Sequence, residues 1–394
     1  MAALSSAQRA DRLAWTGREP RRLRFGPNLY IAQSQPGFEA IVANEIQGRI
    51  ESAHAIATRR IPSRAGMVIF RASQPRRFLR LRTAEDLFAL VGYHCGAGAN
   101  AKWLEVARTL GRRAPLVGEG LAARVLTLPG SRAGHRLSFR VIARMAGEHE
   151  FRRSDLQRAL ELGIEERSDH RWHLDDGAGA VEFWASLTGE ELFLALRLTD
   201  ARSRPGGYKV GHMPGSLRPA LAAALAWLTE PSAGDVFLDP MCGAATVLIE
   251  RAHLGRYRML LGGDHDPQAL AAARENIGPR YQPIELRLWD ATALPLETAS
   301  VDKIAANLPW GRRLGTSADN RRLYPRLLAE LQRVARPGAV VAMLTAERRL
   351  MDELARYGRF VPQRVFQVTV LGAPASIYVW RPAGRPSTQP GGRR

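Results

Sequence analysis

The sequence predicts an α/β protein in which an open, mostly parallel sheet of seven strands follows smaller α+β units. Three observations lead to this prediction. Short apolar strands alternate with helical segments after residue 234, and the last two apolar runs are joined by a tight "LGAPA" turn. A Gly/Arg/Pro-rich segment at residues 200–216 separates two halves of similar length.

Five apolar strands alternate with helices in the second half. The predicted strands are "DVFLD", "RMLLGGD", "IELRLWD", "VDKIAAN" and "AVVAMLTA". The predicted helices are "ATVLIERAHLG", "DPQALAAARENIG", "RRLYPRLLAELQRVARPG" and "ERRLMDELARYG". Such alternation produces right-handed crossovers and parallel neighbours, so these strands predict a doubly wound sheet. The two closing runs, in "FVPQRVFQVTVLGAPASIYVWRP", predict an antiparallel hairpin at its end.

The first half has a less regular pattern. "LYIAQSQPGFEAIVANEIQGRI" predicts a strand, a turn and a helix, and "AGMVIFRAS" predicts a strand. "PRRFLRLRTAEDLFALVG" predicts an extended piece followed by a helix. "RLSFRVIARMAGEHEFRRSDLQRALELGIEER" predicts a strand, a basic turn and a helix, and "GAVEFWASLTGEELFLALRLT" predicts a hairpin with a "TGEE" turn.

The domain boundaries follow from these patterns. We expect a mobile N-terminus at 1–27, an α+β domain at 28–95 and a second one at 96–200. A linker at 201–215 leads to the parallel-sheet domain at 216–382, and the Gly/Arg/Pro-rich residues 383–394 predict a disordered tail.

Charge and composition narrow the classes of function. The 394 residues carry a formal net charge of +19, which favours a polyanionic partner such as nucleic acid. Lysine occurs only at Lys102, Lys209 and Lys303, so an arginine bias from a GC-rich genome is the alternative explanation. Two cysteines, Cys95 and Cys242, argue against a disulfide framework or a zinc cluster.

No run of about 18 apolar residues is present, so we expect no membrane span. The N-terminus lacks an apolar signal core. We therefore expect a cytoplasmic protein without a metal site, and we expect it to be monomeric.

Polar and small residues follow the first predicted strand of the second half. Ligands of open parallel sheets lie beyond the carboxyl ends of the strands, and Asp239 and Gly243 fall at this end. The "CGAAT" bend presents backbone N–H groups and a helix N-terminus, which suit a carboxylate or phosphate. The bend lacks both the G-x-G-x-x-G and the G-x-x-x-x-G-K-[ST] patterns, so it gives no specific support for a dinucleotide or for ATP hydrolysis. A structural turn is the simpler alternative.

Carboxylates also end the next two strands. Asp264 is placed to accept hydrogen bonds from a ribose diol, with His265 beside an adenine. The alternative is a solvated Asp264 followed by Asp266 as a helix N-cap. Asp290 can accept a hydrogen bond from an adenine amino group, or it can simply initiate a turn.

The stretch "NLPWG" ends the fourth strand. Pro309 has a restricted φ and disfavours a helical conformation at Leu308. The Asn307 side-chain oxygen and a backbone carbonyl can then accept hydrogen bonds from one exocyclic amine and direct its lone pair toward an electrophile. Trp310 offers a face to a base removed from its stack.

These four motifs, in this order, resemble those of the Rossmann-like S-adenosylmethionine-dependent methyltransferases. "DPMCGAAT" resembles their D-P-x-C-G-x-G-T loop, and "NLPW" resembles the [DN]-[PL]-P-[YFW] signature of amino-group methyltransferases. The block from "NLPWGRRLG" to "AVVAMLT" is similar to the branch that makes N2-methylguanosine in RNA. One departure is Ala245, where the family usually has a second glycine.

The resemblance implies a set of site residues. Direct methyl transfer to guanine N2, aided mainly by orientation, would involve Asn307, Leu308, Pro309 and Trp310. The bend would be free of side chains so that the methionine part of S-adenosylmethionine can lie against its backbone. Implied cofactor-binding residues are Ser216, Arg218, Asp239, Met241, Cys242, Gly243, Ala244, Ala245, Thr246, Asp264, His265, Asp290, Ala291 and Asn307.

The first half resembles RNA-binding modules that accompany such enzymes. Residues 138–200 resemble the THUMP domain, and residues 29–46 resemble the ferredoxin-like unit beside it. The resemblance implies binding to the acceptor stem and 3′ CCA end of tRNA, which agrees with the net charge. The candidate RNA contacts are Arg140, Arg144, His149, Arg152, Arg153, Arg158, Arg312 and Arg313, and the alternative for each is a solvated surface residue.

The resemblance implies tRNA guanine-N2 methylation. The leucine of "NLPW" and the following "GRRLG" are most similar to enzymes that act on the sixth nucleotide. The alternatives are the tenth nucleotide, a large-subunit rRNA guanine, a catalytically silent RNA-binding relative that lost the loop glycine, and an amino methyltransferase for DNA adenine or protein glutamine.

Overall fold

The chain forms two compact units, Met1–Arg204 and Pro205–Arg394. The structure is a computed structural model. It describes residues 22–61, 65–73, 80–96, 100–116, 137–167, 172–175, 177, 181–199, 206–211, 213, 215–311 and 316–382.

The first unit contains one eight-stranded sheet with the order β2-β3-β1-β4-β8-β7-β5-β6. Its strands are β1 Leu29–Ser34, β2 His54–Ile61, β3 Ala65–Arg71, β4 Asp86–Cys95, β5 Leu137–Ala146, β6 Trp172–Leu174, β7 Val181–Thr188 and β8 Glu191–Arg197. Its helices are α1 Glu39–Arg49, α2 Lys102–Arg113 and α3 Arg153–Glu165. The predicted β1–α1 pair, β3, the β5–α3 pair and the β7–β8 hairpin are confirmed.

The prediction of a helix in "RTAEDLFALVG" is wrong. Residues 86–95 form strand β4, which pairs with β1 on one side and β8 on the other. Both of its faces are largely buried, so an unbroken apolar run replaces the alternation expected of a half-exposed strand. Neighbours far away in sequence supply these pairings, and local periodicity contains no signal for them.

The boundary proposed between two α+β domains, after residue 95, lies at the end of a shared strand. Cys95 pairs with Glu191 of β8, and Tyr30 of β1 pairs with Ala89 of the same central strand. The two modules that the sequence suggested are therefore hydrogen-bonded into one continuous sheet. Strands β2 and β6 and helix α2 were not predicted.

The second unit contains a seven-stranded sheet with the order β11-β10-β9-β12-β13-β15-β14. Its strands are β9 Val236–Asp239, β10 Met259–Asp264, β11 Ile284–Leu288, β12 Val301–Asn307, β13 Ala335–Thr345, β14 Pro362–Val370 and β15 Ala373–Trp380. Its helices are α4 Pro219–Leu228, α5 Thr246–His253, α6 Pro267–Ile277, α7 Ser317–Val334 and α8 Arg348–Arg356. The predicted mostly parallel sheet and terminal hairpin are confirmed.

Parallel pairing brings the ends of four strands to one edge of this sheet. Gly262 of β10 lies opposite Asp239 of β9, and Asp264 lies opposite Leu288 of β11. Asn307 at the end of β12 lies opposite Leu344 of β13. The strand order reverses between β9 and β12, and in such sheets a ligand crevice opens at this point.

Gly263 permits close packing at this edge. A Cβ at Gly263 would lie 2.2 Å from the Trp289 ring and 2.5 Å from the Arg287 carbonyl oxygen. The Trp289 indole N–H donates to the Pro240 carbonyl oxygen at 2.9 Å. The missing side chain in β10 therefore lets a tryptophan after β11 stabilise the turn after β9.

Residues 206–211, which fall in the segment expected to be a linker, belong to the second unit and are hydrogen-bonded to its helices. Tyr208 donates its hydroxyl hydrogen to Glu250 at 2.9 Å. The buried Asn276 side chain accepts from the backbone N–H groups of Val210 and Gly211 and donates to the carbonyl oxygens of Gly211 and Ala244. One asparagine of α6 thus connects this segment to the bend after β9.

Candidate active site

The bend between β9 and α5 is built from backbone contacts. The Cys242 N–H donates to the Gly263 carbonyl oxygen at 2.9 Å, and the Ala245 N–H donates to the Cys242 carbonyl oxygen at 2.8 Å. Gly243 has a φ of +50°, and a Cβ there would meet no atom within 4 Å. Gly243 therefore has a left-handed backbone conformation, and the space beside its Cα is unoccupied.

Ala245 occupies the position of the missing family glycine in a glycine-like conformation. Its φ is +61° and its ψ is +21°, and it is fully buried as the residue before α5. Left-handed backbone costs an L-residue about 1–2 kcal/mol. The chain therefore keeps the turn geometry of a glycine loop while carrying a methyl group.

Asp264 holds the bend in place. One carboxylate oxygen accepts from the Gly243 N–H at 2.9 Å, and the other accepts from the Asp266 N–H at 3.1 Å. The His265 ring nitrogen lies 3.2 Å from the same carboxylate, and its side chain is 79% exposed. Asp239, Gly243 and Asp264 are thus gathered at one place, and His265 extends into solvent beside them.

Asp239 is the most perturbed carboxyl group of the site. It is buried, it accepts one hydrogen bond from the Met241 N–H, and it lies near Asp264. Burial raises the pKa of Asp239 to about 8, and the nearby Asp264 charge adds to the rise. Burial also raises the pKa of the Cys242 thiol, so that thiol stays protonated.

Asp290 has the opposite character. Its side chain accepts from the backbone N–H and the hydroxyl of Thr292, each at 2.8 Å. These hydrogen bonds lower the pKa of Asp290, which is exposed and stays ionised. Ala291 beside it is buried. Asp290 therefore stabilises the turn through Thr292 and is also accessible to a ligand.

A lysine that sequence reasoning missed lies at the start of α5. The Lys209 ammonium group donates to the Ser216 hydroxyl at 2.7 Å and to the Leu217 carbonyl oxygen at 3.1 Å. The Ser216 hydroxyl lies 3.2 Å from that of Thr246. Burial lowers the pKa of Lys209, and within the described ranges no carboxylate forms a salt bridge with it. The sequence contained one signal for Lys209: it is one of only three lysines in an arginine-rich chain.

The "NLPW" loop begins directly at the end of β12. Asn307 donates from its amide nitrogen to the Gly215 carbonyl oxygen at 3.3 Å. Its side-chain oxygen Oδ1 is buried and accepts no hydrogen bond from the described part of the chain. The Trp310 indole nitrogen is likewise buried and unpartnered among those residues. Two polar groups in one loop thus lack the partners that buried groups normally have.

The remaining predicted residues at this edge have simpler positions. Met241 and Cys242 line the bend, Ala244 accepts from Asn276, and Arg218 is an exposed residue that precedes α4. Arg312 and Arg313 lie outside the described residues.

Two candidate RNA contacts are engaged within the first sheet. Arg140 of β5 forms a salt bridge with Glu182 of β7, which also binds Arg197 at 2.6 Å. The Arg144 guanidinium lies 4.1 Å from the centre of the Trp184 ring and donates to Gln33. These arginines therefore connect strands.

The other candidates cluster at the N-terminal end of α3. Arg152, Arg153 and Arg158 are exposed, and Arg158 pairs with Glu161 at 3.7 Å. The His149 ring contacts the Ala146 carbonyl oxygen and packs against Phe151. This end of the helix therefore exposes three arginines together with the carboxylates of Glu148, Glu150 and Asp155.

Among the described residues, no group of three or more histidine, cysteine, aspartate or glutamate side chains could hold a metal ion. Within the same ranges, no helix has the length and apolar character needed to cross a bilayer.

The family model and the relatives that match this chain are all described as methyltransferases. Residues 206–373 match the family described as "RMKL-like, methyltransferase domain". The tRNA (guanine(6)-N2)-methyltransferase of Thermus thermophilus is 34% identical over 241 residues, which cover 60% of this chain and 70% of that protein. The mouse tRNA (guanine(6)-N(2))-methyltransferase THUMP3 is 32% identical over 277 residues, which cover 65% of this chain.

The crystal structure of TrmN from Thermus thermophilus has the same fold across both units. It superposes with a TM-score of 0.67 at 28% identity and covers 90% of this chain and 99% of that one. The match to the mouse protein covers 54% of its length, so the chain spans about half of that relative.

Proposed function

This chain belongs to the RNA guanine-N2 methyltransferase family that includes the Thermus thermophilus enzyme, and we propose that it methylates guanine N2 in tRNA with S-adenosylmethionine. The observation that carries the proposal is the orphaned Asn307 Oδ1. It is a buried acceptor, at the carboxyl end of a central strand, that the described protein leaves without a donor.

The residues around the bend fit the cofactor. The open side of Gly243 gives its methionine part access to the backbone, where a side chain would block it. Asp264 retains acceptor capacity for a ribose diol, and exposed Asp290 offers acceptors to an adenine amine. Lys209, with Ser216 and Thr246, provides a positive charge and hydroxyls for a carboxylate.

Asn307 and its neighbour would orient the substrate amine. The Pro309 carbonyl oxygen already accepts from Asn320 and Tyr324, which leaves the Leu308 carbonyl as the second backbone acceptor. Two acceptors on the amine hydrogens would direct the nitrogen lone pair along one line, and Trp310 would pack against the flipped base. Orientation of this kind is the main contribution of these side chains.

S-adenosylmethionine supplies, when bound, an electrophilic methyl group on a sulfonium sulfur that leaves as a neutral thioether. The guanine nitrogen forms the new bond to carbon and releases one proton. Asn307 accepts hydrogen bonds and takes no proton, because an amide oxygen is a very weak base. The attached methyl group makes the nitrogen-bound proton acidic, so the proton leaves to solvent after transfer and the site needs no general base beforehand.

We place the target at nucleotide six of the acceptor stem. The "NLPW" and "GRRLG" resemblance supports this choice, as do the names of the bacterial and mouse relatives. The net charge of +19 and the exposed arginines at α3 support binding to the acceptor stem and 3′ CCA end through phosphates.

The test is methylation of undermethylated bulk tRNA by the purified protein with labelled S-adenosylmethionine, followed by digestion and mass spectrometry. We expect N2-methylguanosine that maps to nucleotide six. N2-methylguanosine at another nucleotide would overturn the position alone. No label in tRNA or rRNA, together with no cofactor binding by calorimetry, would overturn the enzyme assignment and favour a silent RNA-binding relative.

Asn307→Ala tests whether the buried Asn307 Oδ1 orients the substrate amine. Removing one oriented polar group commonly lowers kcat by about 10²- to 10³-fold, and we expect a loss of this size. Binding of tRNA should remain nearly intact, which filter binding would measure. Retained turnover in this variant would eliminate the proposed role of Asn307.

A further inference from the structure

We propose that Asn320 and Tyr324, two buried residues of α7, are positioning residues that set the acceptor geometry of the 307–310 loop by binding the Pro309 carbonyl. The inference rests on the proposed function, because it assigns a role in presenting the loop to the guanine amine. Neither residue belongs to the 307–310 loop; both lie on α7, within the block that resembles the N2-methylguanosine branch.

Both side chains bind one oxygen atom from the same side. The Tyr324 hydroxyl donates to the Pro309 carbonyl oxygen at 2.7 Å, and the Asn320 amide nitrogen donates to it at 2.9 Å. They lie four residues apart and therefore on one face of the helix. Asn320 is 1% exposed and Tyr324 is 0% exposed, so solvent does not compete for these hydrogen bonds.

A directed chain of hydrogen bonds fixes the two donors. The Tyr324 hydroxyl lies 2.7 Å from the Thr345 hydroxyl, and the Glu347 N–H donates to the Thr345 oxygen at 3.0 Å. Tyr324 gives its only hydrogen to Pro309, so Thr345 donates to Tyr324. Burial raises the pKa of Tyr324, which keeps the phenol protonated as a donor.

Glu347 restrains Asn320 in the same way. Its carboxylate oxygen accepts from the Asn320 amide at 3.2 Å and from the Ser317 hydroxyl at 2.7 Å. One amide hydrogen of Asn320 therefore points to Glu347 and the other to Pro309. A 180° flip of the amide would therefore break both hydrogen bonds.

The loop is consequently held on both sides of the Leu308 carbonyl. On one side, the Leu308 N–H donates to the Leu344 carbonyl oxygen at 2.9 Å and continues the β12–β13 ladder. On the other side, the Pro309 ring restricts φ and its carbonyl is bound to α7. The Leu308 carbonyl lies between these fixed points, so its direction is restricted.

Tyr324→Phe removes the hydroxyl and keeps the ring, and Tyr378→Phe is the matched control. Tyr378 is also buried, in β15 of the same unit, and donates its hydroxyl hydrogen to Asp352 at 3.2 Å. Both variants remove the phenolic hydrogen bond of a buried tyrosine, and both tyrosines belong to the same core cluster. Only the first variant loses a donor to the catalytic loop.

The experiment combines turnover, ligand binding and hydrogen exchange. For Tyr324→Phe we expect kcat to fall by roughly 10- to 100-fold, since small misplacements of reacting groups have effects of this size. The KM for tRNA and the Kd for S-adenosylhomocysteine should not change. Amide exchange in peptides that cover 307–311 should accelerate, because the loop loses a restraint. Tyr378→Phe should change neither kcat nor exchange in these peptides.

The outcomes separate this inference from the proposed function. Unchanged kcat and unchanged loop exchange in Tyr324→Phe, with an active wild type, would overturn the positioning role. An equal loss in Tyr378→Phe would show that general destabilisation is responsible and would overturn it as well. An inactive wild type would overturn the proposed function, and the exchange comparison would still test whether Tyr324 restrains the loop.

Asn320→Ser, alone and combined with Tyr324→Phe, adds a second test. Both donors bind the same oxygen, so their effects on kcat should be non-additive in a double-mutant cycle. Additive losses would mean that the two residues act independently of the Pro309 carbonyl and would contradict the proposal.

Discussion

At the scale of single residues, Asp239 shows how burial changes the chemistry of the site. Asp239 and Asp264 end neighbouring strands and have the same side chain, but their surroundings differ. Asp264 accepts two backbone hydrogen bonds at the site edge, whereas Asp239 is buried with one. With a pKa of about 8, Asp239 holds a proton at neutral pH.

This proton predicts a pH-dependent stability. The folded pKa of Asp239, about 8, lies above its usual value of 3.8. The folded state thus binds a proton that the unfolded chain releases, so this contribution is complete below pH 3.8 and is lost as the pH rises through 8. The slope is at most about 1.4 kcal/mol per pH unit. Asn cannot titrate, so the stability of Asp239→Asn relative to wild type should increase steadily from pH 5 to pH 8 and change little above pH 8.

Urea denaturation at pH 5, 7 and 9 measures this difference. Asp290→Asn is the control, because the stability contribution of Asp290 should depend on pH in the opposite direction. The Thr292 hydrogen bonds lower the pKa of Asp290, so its contribution is present at neutral pH and is lost on acidification. Parallel pH profiles for wild type and Asp239→Asn would contradict the assignment of a protonated Asp239.

At the scale of elements, the β9–α5 bend combines two left-handed residues with one open face. Gly243 and Ala245 have positive φ values, and the Asp264 carboxylate holds the Gly243 N–H. The bend thereby leaves the backbone at Gly243 accessible to a ligand. Its conformation is a property of the β9–α5 connection, and Asp264 of β10 stabilises it.

Gly243→Ala separates backbone strain from ligand access. A left-handed alanine costs about 1–2 kcal/mol, partly offset because alanine restricts the unfolded chain. The new methyl group would also enter the space proposed for the cofactor, so S-adenosylhomocysteine should bind roughly tenfold more weakly or worse, a loss of about 1.4 kcal/mol.

Gly189→Ala is the matched control for that strain. Gly189, in the β7–β8 turn, has a φ of +57°, and a Cβ there would likewise meet no atom within 4 Å. This variant should lose similar stability and keep its cofactor affinity, as measured by denaturation and calorimetry. Equal affinity in both variants would show that the open face of Gly243 is not a binding surface.

At the scale of the whole molecule, the positive charge has both structural and exposed components. Arg140 and Arg197 form salt bridges with Glu182 between strands, whereas Arg152 and Arg153 are exposed. A net charge of +19 attracts RNA in general, but only exposed cations can release counterions from phosphates.

The exposed end of α3 predicts a change in the salt dependence of binding. Arg152→Gln combined with Arg153→Gln should weaken tRNA binding and reduce the slope of log K against log salt by about one per lost phosphate contact. Filter binding at several salt concentrations measures this slope. Arg108→Gln, at an exposed arginine paired with Glu166, is the control and should leave the slope unchanged. An unchanged slope in the double variant would exclude both arginines as phosphate contacts.

Local sequence patterns are sufficient to predict the architecture of the second unit and the positions of its strand ends. Apolar strands, helix periodicity and the small-residue bend are local signals, so Asp239, Asp264, Asp290 and Asn307 could be placed at one edge. Right-handed crossover connections make these strands parallel, so their carboxyl ends lie at the same edge of the sheet. For the same reason the terminal hairpin was predictable.

Which residues act together could not be predicted from local patterns, because it depends on contacts that form in the folded chain. Strand β4 exists because β1 and β8 pair with it, Arg140 is held by Glu182, and the Pro309 carbonyl is bound by Asn320 and Tyr324. Each of these contacts joins residues that are separated along the chain and adjacent in the fold. A buried polar group must form a hydrogen bond, because leaving it without a partner costs free energy. Its partner is the polar group that packing of the core places next to it, so local sequence does not specify that partner.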